Sequence, residues 1–208
     1  SVIRFSRVDS ETPQSQWLQS GESSAIFQLD NRDGAPSRLD VALSYVVIGF
    51  EHILPKGLDH ILFVVGLFLF SVRLKPLVLQ VTAFTLAHTI TLGLSIYGVI
   101  SLPATIVEPL IALSIAYVGI ENCLSTKLKT SRLLLVFCFG LLHGLGFAGV
   151  LTEIGLPRSE FLTALVTFNI GVELGQLTVI MLCLVLVGLC RSKDWYRNVI
   201  IIPVSLLI

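Results

Sequence analysis

Four long apolar runs constrain this chain more than any other feature: Leu77–Tyr97, Thr105–Glu121, Leu133–Leu151 and Phe161–Leu189. About 20 apolar residues in a helix cross the hydrocarbon of a bilayer, at 1.5 Å of rise per residue. Each run is long enough to span, and the last is long enough to tilt or kink. Two shorter runs precede them, Val41–Leu54 and Leu58–Val72, separated by Pro55-Lys56-Gly57. Each would be only about 22 Å long as a helix, so one of them is expected to be interfacial, re-entrant or steeply tilted. Val199–Ile208 opens a final helix too short to span, so the natural chain is expected to continue past it. The resulting fold class is all-α: a polytopic transmembrane bundle over residues 41–208, with about six or seven membrane segments.

Charge supports this reading. Only 13% of residues are charged, against about 25% in a soluble domain. Net charge is zero, so no basic surface for nucleic acid is indicated. The four cysteines are scattered without a CxxC pair, and in apolar helices such residues act as small hydrophobes. Residues 1–40 are polar. Alternation in Ser24–Leu29 predicts a strand, and Asn31-Arg32-Asp33-Gly34 a turn. This segment reads as the tail of a soluble extracytoplasmic domain plus a linker.

The loops orient the bundle. Arg73 and Lys75, then Lys127, Lys129 and Arg132, then Arg191, Lys193 and Arg197 fall on one side when the spans are threaded alternately. The positive-inside rule makes that side the cytoplasm; residues 1–40 then lie outside if Val41–Leu54 does not cross, the arrangement expected here, and inside if it does. A multi-pass protein of the bacterial cytoplasmic (inner) membrane is expected, with lipid as its first partner.

Ionisable groups inside such runs are costly and mark function. All four histidines, His52, His60, His88 and His143, lie inside or beside apolar runs, together with Asp59, Glu108 and Glu173. Counting 1.5 Å per residue puts His60, His88 and His143 at heights of roughly 15–18 Å from the cytoplasmic ends of their helices. Glu173 descends about 18 Å from the other side. Imidazole and carboxylate together suit a divalent transition metal such as Ni, Co or Zn. Asp59 and His60 are adjacent after the Pro-Lys-Gly break, so Asp59 caps the helix, joins the site or orients an imidazole. Thr85 shares a helical face with His88. Gly140 and Gly144 flank His143 as a GxxxG packing face. Asn169, Glu173 and Gln176 fall at i, i+4 and i+7 of one helix. Phe84–His88 and Phe139–His143 share the pattern F-x-L-x-H, a faint internal repeat whose two helices are each expected to be followed by one bearing a buried Glu.

Together these stretches resemble the HupE/UreJ family of bacterial membrane proteins. The resemblance is carried by Gly57-Leu58-Asp59-His60-Ile61-Leu62-Phe63, by Thr82–Leu92, by Val107-Glu108-Pro109 through Ile115, by Phe139–Ala148 and by Phe168–Gln176. It covers about residues 45–190, most like the branch with an added N-terminal extracytoplasmic domain. It implies nickel or cobalt handling, described for the family as permease activity. It implies His60, His88, His143, Asp59 and Glu173 as metal ligands. Glu108, Asn169, Gln176, Thr85, Ser114 and His52 are then residues that support the ligands through hydrogen bonds. His52 is placed in that supporting set because it precedes Asp59 by seven residues across a proline break, whereas the nickel-permease motif has its His a few residues before the pair.

Two functions from different classes follow. The first is a nickel- or cobalt-type permease, suited by discontinuous helices and midplane carboxylates. The second is a membrane-embedded zinc-dependent hydrolase or peptidase acting on a lipid or a membrane-anchored peptide, with Glu173 or Asp59 as general base. No HExxH is present, so it would not be a zincin.

Overall fold

Ser37 and Asp40 open the first membrane helix with a reciprocal cap. Asp40 N–H donates to Ser37 Oγ at 3.2 Å, and Ser37 N–H donates to Asp40 Oδ2 at 3.2 Å. The computed structural model describes residues 2–5, 14–17, 37–70, 73–125, 131–154 and 160–208, with side chains for 37–70, 73–125, 131–147 and 160–208. Helix α1 spans Arg38–Ile53 and α2 Leu58–Phe70; α3 spans Leu74–Ile96 and α4 Ala104–Leu124; α5 spans Ser131–Ile154 and α6 Phe161–Val187. A 3-10 turn, Gly188–Cys190, extends α6, and a π-helical turn, Arg197–Ile201, leads into α7, Ile202–Leu207. Strands β1, Val2–Phe5, and β2, Gln14–Trp17, pair antiparallel near the start of the chain, with Val2 opposite Trp17. The expected strand at 24–29 and turn at 31–34 lie outside the described residues.

Outward-facing apolar stripes show what solvent the bundle suits. On α4, Ile106, Leu110, Leu113, Tyr117, Ile120 and Leu124 are exposed at alternating spacings of four and three. Val107, Ile111, Ser114, Ile115, Val118 and Asn122 on the same helix are buried. A helix apolar on both faces belongs in lipid. Helices α3, α4 and Phe161–Cys190 are long and apolar enough to cross a membrane. The two short runs form one unit rather than two. Helices α1 and α2 meet at 71° and together make a fourth broken span or a re-entrant loop.

Two close-packed parallel pairs build the bundle. A Cβ on Gly140 would collide with the Phe84 carbonyl, and one on Gly144 with the His88 carbonyl, so α5 lies directly against α3. Gly49 and Gly171 bring α1 equally close to α6, against the carbonyls of Phe168 and Val46. Arg38 Nε donates to Glu160 Oε1 at 2.9 Å, tying the start of α1 to the start of α6. That guanidinium also holds the Glu160 carboxyl below the usual carboxylate range. At the opposite end Arg191, following α6, donates to the Phe68 carbonyl near the end of α2. The bent pair α1–α2 therefore starts at one end of α6 and finishes at the other.

Candidate metal centre

The break between α1 and α2 is what assembles the site. Gly57 N–H donates to the Ile53 carbonyl at 3.1 Å, and a Cβ at Gly57 would strike the His52 carbonyl. Only glycine lets the chain fold this tightly. The turn brings the end of α1 onto the start of α2, so His52 and His60 come within 4.7 Å, ring centre to ring centre. His88 on α3 lies 6.0 Å from His52 and 5.8 Å from His60. His143 on α5 lies 4.9 Å from His60. One ligand atom each from His52, His60 and His88 can be chosen with all three within 4.8 Å of one another. The same holds for Asp59, His60 and His143. A tetrahedral site with ~2.1 Å metal–nitrogen bonds has edges of about 3.4 Å, so small rotamer adjustments close either group onto an ion.

Hydrogen bonds fix where the protons sit. A carboxylate only accepts, so His60 Nδ1–H donates to Asp59 Oδ1 at 3.1 Å. Asn169 spends its NH₂ on the Leu165 carbonyl at 2.8 Å, which leaves its Oδ1 to accept from His88 Nδ1–H at 3.0 Å. That leaves Nε2 as the ring nitrogen open to a further partner in both residues. The Nε2 atoms of His52, His60 and His88 are buried without a hydrogen-bond partner. An unsatisfied buried polar atom costs about 1–3 kcal/mol. Three such atoms, on rings from three helices whose centres lie 4.7 to 6.0 Å apart, fit a metal ion better than they fit a core.

The walls are aromatic. Phe147 packs on His52 at 3.8 Å, Phe84 on His143 at 4.9 Å and on His60 at 5.7 Å, and Phe63 on His143 at 5.5 Å. Such a shell limits water and lowers the local dielectric, which strengthens metal–ligand bonds. Nitrogen donors in an apolar shell suit Zn, Ni or Co over Mg or Ca.

The sequence profile of one family, HupE / UreJ protein, matches residues 30–208. This chain belongs to the HupE/UreJ family. No curated protein and no solved structure matches it. Membership agrees with the apolar helices and associates the protein with membranes and transition metals.

Within this HupE/UreJ protein the expected residues separate. Asp59, His60, His88 and His143 come together, and His52 joins them. Seven residues across a proline separate His52 from Asp59, too far by linear spacing for a direct ligand, and the 71° turn between α1 and α2 closes that gap. Glu173 falls outside both groups. Thr82 Oγ1 donates to its Oε1 at 2.7 Å, and the Thr85 hydroxyl is hydrogen-bonded to its Oε2. Gln176 Oε1 lies 2.9 Å from that same hydroxyl. Asn169, Glu173 and Gln176 do share a face, turned toward α3, but only Asn169 reaches an imidazole. Ser114 holds His143 Nε2 at 3.2 Å. Glu108 is exposed on α4, so the expected repeat of His followed by a buried Glu is not matched in the α3–α4 half.

A second polar layer was not foreseen. Arg132, 3% exposed, donates to Glu121 Oε2 at 2.8 Å and Gln80 Oε1 at 3.2 Å, and lies over the Phe70 ring at 4.1 Å. Asn122 beside it donates to the Gly66 carbonyl at 2.8 Å and to Ser205 Oγ at 3.2 Å. Gln80 precedes His88 by eight residues, about 12 Å of helix. Buried Phe63, Leu67, Val81, Phe84, Val118 and Val136 fill the helices that join the two layers.

Proposed function

We propose that this protein binds one divalent transition-metal ion within the membrane through the Nε2 atoms of His52, His60 and His88, and carries nickel or cobalt as a permease. The crowding of three imidazoles at a broken helix, each with a buried nitrogen that has no hydrogen-bond partner, carries this reading. Transporters commonly bind their ions where a membrane helix is interrupted, and the family's association with nickel and cobalt agrees. The positive-inside rule puts Arg73, Lys75, Arg132, Arg191, Lys193 and Arg197 at the cytoplasmic face of an inner membrane. The segment before α1 is then extracytoplasmic. In that orientation the apolar layer and buried Arg132 close the inner side, and the ion enters from outside. Proteoliposomes loaded with a Ni²⁺-sensitive dye test this. Uptake abolished by His52→Ala and His88→Ala supports the permease, and absence of uptake in the wild type overturns it.

One observation favours a second reading, a metal-dependent hydrolase acting on a lipid or membrane-anchored peptide. Asp59 stands half-exposed beside the imidazoles, where a carboxylate can accept a proton. A resident zinc would supply Lewis-acid polarisation of a scissile carbonyl. Asp59, positioned by His60, would then accept the proton of attacking water. Zinc that stays with the protein through chelator washing, without Ni²⁺ uptake, selects this reading over the first.

A further inference from the structure

We infer that a second cation position lies between Asp59 and His143, so that the site takes two divalent transition-metal ions. This rests on the reading that His52, His60 and His88 hold the first. The argument begins with Ser114. Its single hydroxyl proton goes to the Ile111 carbonyl at 2.7 Å, so Ser114 Oγ must accept from His143 Nε2–H. His143 Nδ1 therefore carries a lone pair. That atom has no hydrogen-bond partner, its side chain is 0% exposed, and it faces Asp59 Oδ2 at 3.9 Å.

A lone pair and a carboxylate oxygen thus face each other with no proton between them. The separation is too long for a hydrogen bond and close to the about 3.4 Å edge of a tetrahedral metal site. Two electron-rich atoms repel unless a cation lies between them. The other oxygen of Asp59 is already engaged by His60 Nδ1–H, so Oδ2 is the one free to bind. Asp59 is 39% exposed, whereas the three Nε2 atoms of the first group are buried. The second position is therefore the less enclosed of the two, with open space beside Asp59 for further ligands to complete the coordination shell. An imidazole–carboxylate pair of this kind takes Zn²⁺, Co²⁺ or Ni²⁺.

The test uses the full chain in detergent, stripped with chelator, saturated with Co²⁺ and freed of excess metal by gel filtration before elemental analysis. The expected result is two cobalt ions per chain in the wild type. One ion should remain in His143→Leu and one in the half-exposed variant Asp59→Asn, which has little reason to misfold. The double variant His52→Ala/His88→Ala should also keep one. A single wild-type ion retained by both His143→Leu and Asp59→Asn overturns the second position and leaves the first intact. A single ion lost in all three variants overturns it in favour of one merged centre. No bound cobalt in the wild type overturns the first position, and the second with it.

Discussion

Asn169 holds the His88 ring in place: its Oδ1 accepts from His88 Nδ1–H at 3.0 Å while its NH₂ is anchored on the Leu165 carbonyl. The amide therefore sets both the tautomer and the tilt of a ring that lies 6.0 Å from His52 and 5.8 Å from His60. Loss of such a partner typically weakens metal affinity 10–100-fold. Asn169→Leu should lower Co²⁺ affinity by about that factor without lowering the number of ions bound at saturation. Asn169→Asp, which keeps an acceptor, should lose less. Competition against a chelating dye measures both. Equal affinity in wild type and Asn169→Leu would show that His88 needs no such support.

His52 and Glu173 make opposite predictions. His52→Ala should abolish binding at the three-histidine position or weaken it at least 100-fold, in line with removal of a direct ligand. Glu173→Gln should leave Co²⁺ affinity within about threefold of wild type, because Thr82 and Thr85 hold that carboxylate away from the imidazoles. Isothermal titration of both variants checks the pair. A severe loss in Glu173→Gln would return Glu173 to the coordination shell.

The helices and their lipid-facing character were legible because apolar length and spacing report directly on burial in a bilayer. Asp59, His60, His88 and His143 were legible because an ionisable group in such a run needs a reason to be there. Heights counted along a helix say nothing of direction around it, and so Glu173 was placed in the histidine layer when it turns to Thr82 and Thr85. The geometry of a turn is equally invisible to linear spacing. Gly57 and Pro55 announced a break, but only the 71° angle between α1 and α2 puts His52 against His60. Arg132 read as a cytoplasmic loop charge, since nothing in its neighbourhood reveals that Gln80, Glu121 and Phe70 converge on it from three other helices.

Gly144 should be intolerant of any side chain. A Cβ there would run into the Thr91 hydroxyl and the His88 carbonyl, and the carbonyl cannot retreat without moving α3. Gly144→Val should push α5 from α3 and displace His88 and His143 together. Overpacking of this sort costs about 1–3 kcal/mol. Thermal unfolding in detergent should show a lowered midpoint, and Co²⁺ binding should fall in parallel. Gly98 provides the control, since nothing lies within 4 Å of a Cβ there. Its positive φ of 71° makes Gly98→Asn the suitable substitution, with metal binding unchanged.

The buried pair Arg132–Glu121 gives the last prediction. With side chains 2% and 15% exposed, the two charges are held away from water and compensate each other. Removing one partner leaves the other uncompensated, at about 3–5 kcal/mol. Replacing both by apolar residues of similar size removes the desolvation cost along with the attraction. Glu121→Ala should therefore destabilise strongly, whereas Arg132→Met/Glu121→Leu should lie much closer to wild type. The comparison also bears on transport. If the guanidinium blocks the inner end of the bundle, the double variant should keep its Co²⁺ affinity, since Arg132 is about 16 Å of helix below His143. Its inward metal leak in proteoliposomes should then rise. Unchanged leak with retained fold would make the Arg132 layer a structural brace alone, and would leave the buried apolar residues around Phe63 and Phe84 as the barrier.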